Sequence, residues 1–314
     1  GTTMNFLVIL ITLVVNYLWL KDVDRFDDAW FFRFRRRVEG LAGRLGEEFP
    51  LGWFASLLLV YALPLVVLWL LLSALNGSML GLPLMLLHIL VLLIALDRTQ
   101  PGQLARDFLS YWYRGDVSEC ARWVEQELAV PGDVSLSDED SISRFFSKQL
   151  VYRFFERLFV MFFWYLLAGP LGVLFSYISY QLRDSHREDQ DLDEVDFINL
   201  VISLLEWLPV RLLALTFSLA GNFVQCFERI KQSFWSFSRD AESADMLYGY
   251  ASCALSGMGS VGEAATDAPA QEESAEIRRR RQHALEVEAL QALLERSQAI
   301  WLALLAVATI LPLA

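Results

Sequence analysis

The sequence predicts an all-α polytopic membrane protein, a helical bundle of about four to six membrane segments with amphipathic helices at the membrane interface. Three observations lead to this fold class. Hydrophobic residues make up 55% of the 314 residues, and the mean hydropathy is +0.38. The apolar residues also come in long blocks rather than at amphipathic spacing, which is typical of membrane proteins.

Composition excludes several classes of function. The net charge of −12 argues against a nucleic acid partner. The three cysteines have no CxxC spacing and the three histidines are isolated, so no disulfide framework and no zinc site is predicted. No lysine follows a glycine-rich loop, so no Walker A phosphate site is predicted. The carboxylates of residues 138–140 could ligate a metal, but an acidic turn at a helix start is the favoured interpretation. No cofactor is expected.

The first third of the chain contains three kinds of membrane element. Residues 4–20 are apolar but short, and we interpret them as a tilted or shallow N-terminal membrane helix. Residues 21–50 interleave arginines with aromatic residues, a mixture that suits an interfacial helix on the anionic inner leaflet. Residues 51–96 form a transmembrane hairpin around Asn76-Gly77-Ser78, in which His88 is expected to make a hydrogen bond between helices rather than to bind a ligand.

Two polar regions are predicted to be cytoplasmic and helical. In residues 97–148, Arg114-Gly115-Asp116 interrupts a helical pattern, and Asp116 is expected to cap the helix that follows. Residues 224–298 form an amphipathic region with a flexible linker at 257–273. An arginine run at 278–281 opens its last helix, and residues 299–314 form a C-terminal membrane helix.

The central stretch, residues 149–223, contains two long apolar segments that carry charges. The segments are residues 150–182 and 197–223, and each is long enough to cross the hydrocarbon core. An ionised group at bilayer depth costs about 2.5–3.5 kcal/mol or more, so it should face a partner or a wet cavity. The candidate site for a ligand or for buried charges therefore contains Arg153, Glu156, Arg157, Glu206 and Arg211.

The pairing of these charges follows from their depth. Arg153 is expected to extend to the lipid headgroups, whereas Glu206 and Arg211 lie too deep for that. On a regular helix Glu206 and Arg211 point about 140° apart, so Glu156 on the neighbouring segment is the expected partner of Arg211. Should Pro209 unwind the helix between them, Glu206 takes that place.

The distribution of arginines predicts an orientation. Residues 21–44 and 278–296 should be cytoplasmic, because positive charge is retained on that side. The uncharged turn at 76–78 and the acidic residues 183–196 should then be periplasmic. This arrangement requires residues 197–223 to cross the membrane.

Several stretches together resemble the AmpE family of inner-membrane proteins, which are associated with β-lactamase induction in Gram-negative bacteria. They are FLVILITLVVNYLWL at the start, YRFFERLFVMFFWYLLAGPLG and LLEWLPVRLLALTFSLAGNF in the central stretch, and EALQALLERS before the terminal apolar segment. The resemblance covers the chain from end to end. It implies a multi-pass protein of the bacterial inner membrane, with a functional link to the cytoplasmic anhydro-muramyl peptide amidase AmpD.

The AmpE family is in turn similar to the CobD/CbiB membrane enzymes, which form an amide bond in cobalamin assembly. This chain departs from their pattern at three places. Ile202 and Ser203 stand where those enzymes have an acidic pair, Glu156 alone is kept of a Glu-Asn-Asp-Gly signature, and residues 238–243 lack a Ser-Pro-Asn-Ser-Gly loop. These are the groups that would hold metal and phosphate, so no catalytic residue is predicted.

The resemblance therefore implies a non-catalytic regulatory or sensor protein linked to β-lactamase induction and cell-wall recycling. The alternative is an ATP-dependent cobamide-type amide synthase on the same scaffold. A third hypothesis, a transporter, rests on the charges within apolar segments, but no internal repeat supports it. The expected partners are membrane lipid, a muropeptide or other small anionic ligand, and AmpD through a functional link; a homo-oligomer is compatible with the sequence.

Overall fold

The protein is described by a computed structural model that covers residues 2–18, 29–45, 52–76, 81–96, 101–132, 134–185, 191–233, 235, 243–256 and 275–310. In these residues all regular secondary structure is helical, which confirms the predicted all-α fold class. The predicted linker at 257–273 and the turn residues Gly77 and Ser78 lie outside the described residues.

The described helices are numbered in chain order. They are α1 (Thr2–Leu18), α2 (Ala29–Leu45), α3 (Gly52–Leu75), α4 (Leu82–Ala95), α5 (Pro101–Trp112), α6 (Val117–Glu127), α7 (Glu139–Phe154), α8 (Val160–Asp184), α9 (Leu192–Ala220), α10 (Phe223–Ser233), α11 (Ser243–Leu255) and α12 (Ala275–Ile310). A π-helical turn, Phe155–Phe159, joins α7 to α8.

Four helical stretches are long and apolar enough to cross a membrane. They are Gly52–Leu75, Glu139–Asp184, Leu192–Ala220 and Ala275–Ala308, and the shorter helices α1 and α4 are also apolar. The number agrees with the predicted four to six segments. The last of them differs from the prediction in one respect: the arginine run and the terminal apolar segment belong to one continuous helix, because nothing between them interrupts the helical pattern.

The chain divides into two compact units. Unit 1 comprises Gly1–Arg98, Arg157–Trp207 and Ala308–Ala314, and unit 2 comprises Thr99–Glu156 and Leu208–Val307. In unit 1, α4 packs against α1 and α8, and α3 packs against α2 and α8. The aromatic side of α2 takes part in this packing, because Trp30 stacks on Tyr177 of α8 with ring centroids 6.1 Å apart and Phe31 is fully buried.

Helix α8 bends sharply at Gly169. This residue has a φ of +64° and a ψ of −154°, a conformation that side chains other than glycine's rarely adopt, and the following Pro170 cannot donate to the helical ladder. A Cβ atom placed on Gly172 would lie 2.6 Å from the carbonyl oxygen of Trp164. In a straight helix these two residues are separated by about 12 Å along the axis. The chain therefore reverses its direction within α8.

The ends of the reversed segment meet in an ion pair. Arg157 Nη2 and Asp184 Oδ2 lie 3.0 Å apart, whereas a straight helix would separate their backbones by about 40 Å. Residues 157–184 thus form a helical hairpin, called hairpin 157–184 below, with a first arm at 160–168 and a second arm at 170–184. The sequence predicted a single apolar segment here, residues 150–182, long enough to cross the membrane, because hydropathy is uniform through the bend.

A further contact in unit 1 corrects the predicted orientation. Arg35 of α2 is only 4% exposed, and its Nη2 lies 2.9 Å from Oε1 of Glu194 at the start of α9. Arg35 also donates to the hydroxyl of Ser185, at the end of α8. Residues 21–44 and 183–196 were predicted on opposite sides of the membrane, and this prediction is wrong. A hydrocarbon core roughly 30 Å thick cannot separate groups that are in contact.

Unit 2 is built around aromatic stacking and capped helix starts. Phe108 of α5 stacks on Phe146 of α7 with ring centroids 3.8 Å apart; α7 also packs against α11, which contacts α10. Asp116 accepts hydrogen bonds from the backbone N–H groups of Ser118 and Glu119, and the preceding Gly115 has a φ of +80°. The predicted break and cap at this position are therefore confirmed.

Residues 138–140 begin helix α7, as the favoured interpretation of this acidic run predicted. Asp138 forms a capping box with Ser141, in which the two residues satisfy each other's backbone N–H groups. The next two carboxylates bond to α12: Glu139 accepts from Arg280, and Asp140 lies 2.7 Å from the ring nitrogen of His283. The start of α7 is thereby fixed to the arginine-rich N-terminal end of α12 within unit 2.

Candidate functional site

The five candidate residues are divided between the two units. Arg157 and Glu206 belong to unit 1, whereas Arg153, Glu156 and Arg211 belong to unit 2. The structure therefore contains two sets of candidate charges, each with its own surroundings. Three of the five side chains are almost fully buried: Glu156 is 5% exposed, Glu206 is 3% exposed and Arg211 is 5% exposed.

Glu206 lies in α9 with a hydrogen-bond donor from the hairpin. The hydroxyl of Tyr180, in the second arm, donates to Oε1 of Glu206 over 2.8 Å. Tyr180 is itself 1% exposed. A donor at this distance stabilises a buried carboxylate that has been removed from water. Tyr180 is therefore an interior partner of the kind that Glu206 was predicted to need, although the sequence did not identify this residue.

The residue before Glu206 is bonded to the other arm. The Nε1–H of Trp164, in the first arm, donates to the carbonyl oxygen of Leu205 over 3.2 Å. Pro209 lies inside α9 and has no N–H, so it leaves the carbonyl four residues earlier, that of Leu205, without its helical donor. Trp164 therefore supplies the hydrogen bond that Pro209 removes.

These two bonds define a junction, called the hairpin–α9 junction below, of Trp164, Tyr180, Leu205 and Glu206. Both arms of the hairpin bond to consecutive residues of α9, so the bend at Gly169 is what brings the two donors to one place. The junction contains a buried carboxylate, which can accept a proton or hold a cation, and two hydrogen-bond donors, the Tyr180 hydroxyl and the Trp164 indole N–H. Any movement of the hairpin relative to α9 must break one or both bonds.

Arg157 closes the base of the hairpin. It is 22% exposed and pairs with Asp184, which also lies 2.9 Å from Nε of Arg183. The group is therefore at the edge of the apolar bundle of unit 1. Nearer the middle of that bundle, Nδ1 of His88 lies 2.8 Å from the hydroxyl of Tyr165, which confirms the predicted hydrogen bond between helices.

Arg153 binds to the end of a helix in unit 2. Its Nη2 donates to the carbonyl oxygen of Glu127 over 2.8 Å, at the last residue of α6. A cation at the C-terminal end of a helix satisfies an unpaired carbonyl and interacts favourably with the helix dipole. This protein partner takes the place of the lipid headgroup that the sequence suggested.

Glu156 and Arg211 complete the candidate set in unit 2. Glu156 lies in the π-helical turn Phe155–Phe159, a distortion that often occurs at functional sites. Arg211 lies in α9 within electrostatic range of Tyr250 of α11. The burial of both charges in one unit is compatible with their pairing, which stays a prediction.

Four contact residues were missed by sequence reasoning. The Gly169-Pro170 pair was visible, and it was the available signal for a bend. The contacts themselves had no signal, because each bond joins residues far apart in the chain. The missed residues are Arg35, Trp164, Tyr180 and Asp184.

The chain was compared with known proteins in three ways. A family model described as "AmpE: Regulatory signalling modulator protein AmpE" matches residues 7–241. The match includes the hairpin, all of α9 and every residue of the candidate set. The comparisons with curated proteins and with solved structures found no match.

Proposed function

The chain belongs to the AmpE family of regulatory signalling modulator proteins, and we propose on this basis that it is a non-catalytic regulatory or sensor protein linked to β-lactamase induction and cell-wall recycling. The observation that carries the proposal is the family match over residues 7–241. The matched region contains both sets of buried charge.

We place the protein in the bacterial inner membrane as a multi-pass protein. The long apolar helices Gly52–Leu75, Leu192–Ala220 and Ala275–Ala308 support more than one crossing. The amphipathic helix α2 supports a location at a membrane surface, because Phe31 and Val38 are buried against the bundle while Arg33, Arg36 and Arg37 are exposed. An interfacial helix with this distribution suits the anionic cytoplasmic leaflet.

A sensor needs an element with two arrangements and a ligand that prefers one of them. The hairpin–α9 junction suits the first requirement, because two hydrogen bonds hold the hairpin to α9. For the second, the proposed ligand is a muropeptide or another small anion. Of the three candidate arginines, Arg211 is the most buried, so its replacement is the sharpest test of anion binding. The signal would then pass to the AmpD amidase, the proposed functional partner.

The regulatory role is tested by deletion and complementation in a strain with an inducible β-lactamase. Deletion of the gene should change the β-lactamase activity reached after induction, and the wild-type gene at its native expression level should restore it. Glu206→Gln and Tyr180→Phe should restore it incompletely. Arg114→Gln, at an exposed ion pair with Glu119, is the matched control and should restore it fully. Unchanged induction after deletion contradicts the proposed role.

Ligand binding is tested separately on the purified protein. The probe is 1,6-anhydro-N-acetylmuramyl tripeptide, and binding is followed by calorimetry in detergent. Saturable binding that is lost in an Arg211→Gln protein with the helical content of the wild type, and is kept in Arg114→Gln, supports a muropeptide site. If the probe does not bind but deletion still alters induction, the ligand assignment is wrong and the regulatory role stands.

A further inference from the structure

We infer that hairpin 157–184 is a re-entrant membrane element, which enters the bilayer from the cytoplasmic side, reverses at Gly169 and Pro170, and returns to the same side with its tip among the acyl chains of one leaflet. The inference concerns a surface of the protein and its lipid partner. It rests on contacts within unit 1 and is independent of the proposed regulatory function.

Both arms of the hairpin are short. The stretch Glu139–Asp184 is long and apolar enough to cross a membrane if it were straight. The bend at Gly169 divides it, however, and the second arm, residues 170–184, is only about 22 Å long. The first arm together with the turn that precedes it, from Arg157 to the bend, is about 18 Å long. A crossing needs about 20 residues to span roughly 30 Å, so neither arm of the hairpin crosses.

The base of the hairpin is charged. The two ends of the hairpin are joined by the ion pair of Arg157 and Asp184, whose side chains are 22% and 35% exposed. Charged groups that are paired and partly exposed belong at the level of headgroups or water, since the acyl region contains neither. Both ends therefore lie at one membrane surface.

The tip of the hairpin is apolar and exposed. Residues 158–182 contain no Asp, Glu, Lys or Arg, and Leu167, two residues before the bend, is 66% exposed. An exposed apolar tip between two charged ends fits the acyl chains of a leaflet. The break in the helix is protected by protein, because the Trp164 carbonyl packs against Gly172 of the returning arm. Membrane helices tolerate a break where neighbouring protein covers the backbone.

The contacts of α2 indicate the side of the membrane on which the base lies. Arg35 of α2 is bonded to Ser185 and Glu194, just beyond the second arm, so α2 lies at the same surface as the base. Three other arginines of α2 are exposed there: Arg33, Arg36 and Arg37. Positive charge next to membrane segments is retained in the cytoplasm. The base of the hairpin, Ser185 and Glu194 are therefore cytoplasmic.

The side is tested with a membrane-impermeant maleimide on intact cells and on inverted vesicles. Leu192→Cys, at an 80% exposed position at the start of α9, should react in inverted vesicles and not in intact cells. Arg33→Cys on α2 should behave identically. Asn76→Cys, at the far end of α3, is the matched control for the opposite side and should react in intact cells. Reaction of Leu192→Cys in intact cells overturns the inference.

The depth of the tip is tested with a nitroxide on Leu167→Cys in vesicles of phosphatidylethanolamine and phosphatidylglycerol. Insertion in one leaflet predicts high accessibility to oxygen and low accessibility to a water-soluble nickel complex. High accessibility to the nickel complex places the tip in water and overturns insertion. Spin–spin broadening of the nitroxide signal would mean that the tip contacts a second copy of the protein, and it would overturn the assignment to lipid.

Both experiments start from a protein whose Cys120, Cys226 and Cys253 are replaced by serine. Since two of these thiols are fully buried, each variant is also made with the native cysteines kept, and the labelled position is identified by peptide mass spectrometry. If the cysteine-free protein folds poorly, the side of the membrane on which position 192 lies can still be measured in the protein that keeps its native cysteines. The same labelling map gives the position of Leu167, which should react with the maleimide from neither side.

Discussion

At the level of single residues, the buried carboxylate of Glu206 depends on a hydroxyl that lies 26 positions earlier in the chain. Tyr180→Phe keeps the ring and removes the donor to Glu206. The loss of a hydrogen bond to a buried charged group should lower the free energy of unfolding by about 1–3 kcal/mol. The measurement is denaturant unfolding in detergent micelles.

A second tyrosine provides the control for this substitution. The ring of Tyr111 stacks on Trp123 with centroids 5.4 Å apart, so Tyr111→Phe also removes only a hydroxyl. The free energy of unfolding of the Tyr111→Phe protein should stay within about 0.5 kcal/mol of the wild-type value, as for other surface substitutions. Equal effects of the two substitutions would show that the bond to Glu206 does not stabilise the fold.

The predicted pair of Glu156 and Arg211 calls for a double-mutant cycle. Both side chains are 5% exposed and belong to unit 2. If they are partners, Glu156→Gln or Arg211→Met alone leaves a buried charge without its counter-ion and should cost about 3–5 kcal/mol in the free energy of unfolding. The double variant should lose less than the sum of the single variants.

The exposed pair of Arg114 and Glu119 is the reference for this cycle. Its nitrogen and oxygen lie 3.1 Å apart, with side chains 56% and 41% exposed, so it should contribute at most about 1 kcal/mol. Strict additivity of the Glu156 and Arg211 variants would show that the two residues are not partners.

At the level of elements, the hairpin requires the absence of a side chain at Gly172. A Cβ atom there would lie 2.6 Å from the Trp164 carbonyl oxygen and 2.8 Å from Cβ of Ala168. Gly172→Ala should therefore force the arms apart and lower the free energy of unfolding by about 1–3 kcal/mol. Thermal or denaturant unfolding measures this loss.

The control for Gly172 is Gly40 in α2, where a Cβ atom meets nothing within 4 Å. Gly40→Ala should be neutral or stabilising by up to about 1 kcal/mol, because alanine has the higher helix propensity. A Gly172→Ala protein as stable as the Gly40→Ala protein would contradict the close packing of the two arms.

The start of α7 should show a dependence on pH. Hydrogen bonds from the side chain and backbone of Ser141 hold the pKa of Asp138 below its usual range. A lowered pKa in the folded state means that the charged cap stabilises the fold above the unfolded value, about 3.9, and that this contribution is lost as the pH falls through the folded pKa.

The variant that isolates this effect is Asp138→Asn, because asparagine caps a helix without titrating. Below about pH 4 the wild-type protein should lose stability more steeply than the variant, while the two should run parallel near neutral pH. The difference between their unfolding curves removes the contribution of the other carboxylates. Superimposable pH profiles would show that the Asp138 cap does not couple to protonation.

These elements also show what a sequence can predict. The caps at Asp116 and Asp138 were predictable because a cap depends on residues at most three positions away. The hairpin was not predictable, because hydropathy is uniform across Gly169. The direction of the second arm is fixed by contacts between distant residues, such as Arg157 with Asp184. The orientation prediction failed for the same reason: it assumed that each long apolar segment crosses.

At the level of the whole molecule, the question is whether an AmpE-family protein keeps the amide synthase activity of the CobD/CbiB enzymes, to which its relationship stays a prediction. Ile202 and Ser203 stand where those enzymes carry an acidic pair. In the structure Ile202 is 6% exposed, and the hydroxyl of Ser203 donates to the carbonyl of Asn199 over 2.8 Å. An apolar side chain and a hydroxyl bonded to its own helix cannot replace two carboxylates that hold metal and phosphate.

We therefore expect that the protein does not restore cobalamin synthesis in a strain that lacks the synthase, even though the same gene restores β-lactamase induction in a strain that lacks its own family member. Growth without added cobalamin is the measurement, at native expression, with the synthase gene as the positive control. Because one gene is tested in both strains, a failure to grow cannot be attributed to poor folding when induction is restored. Growth in the first strain would show that other residues supply the missing carboxylates, and the amide synthase would then replace the sensor as the function of this chain.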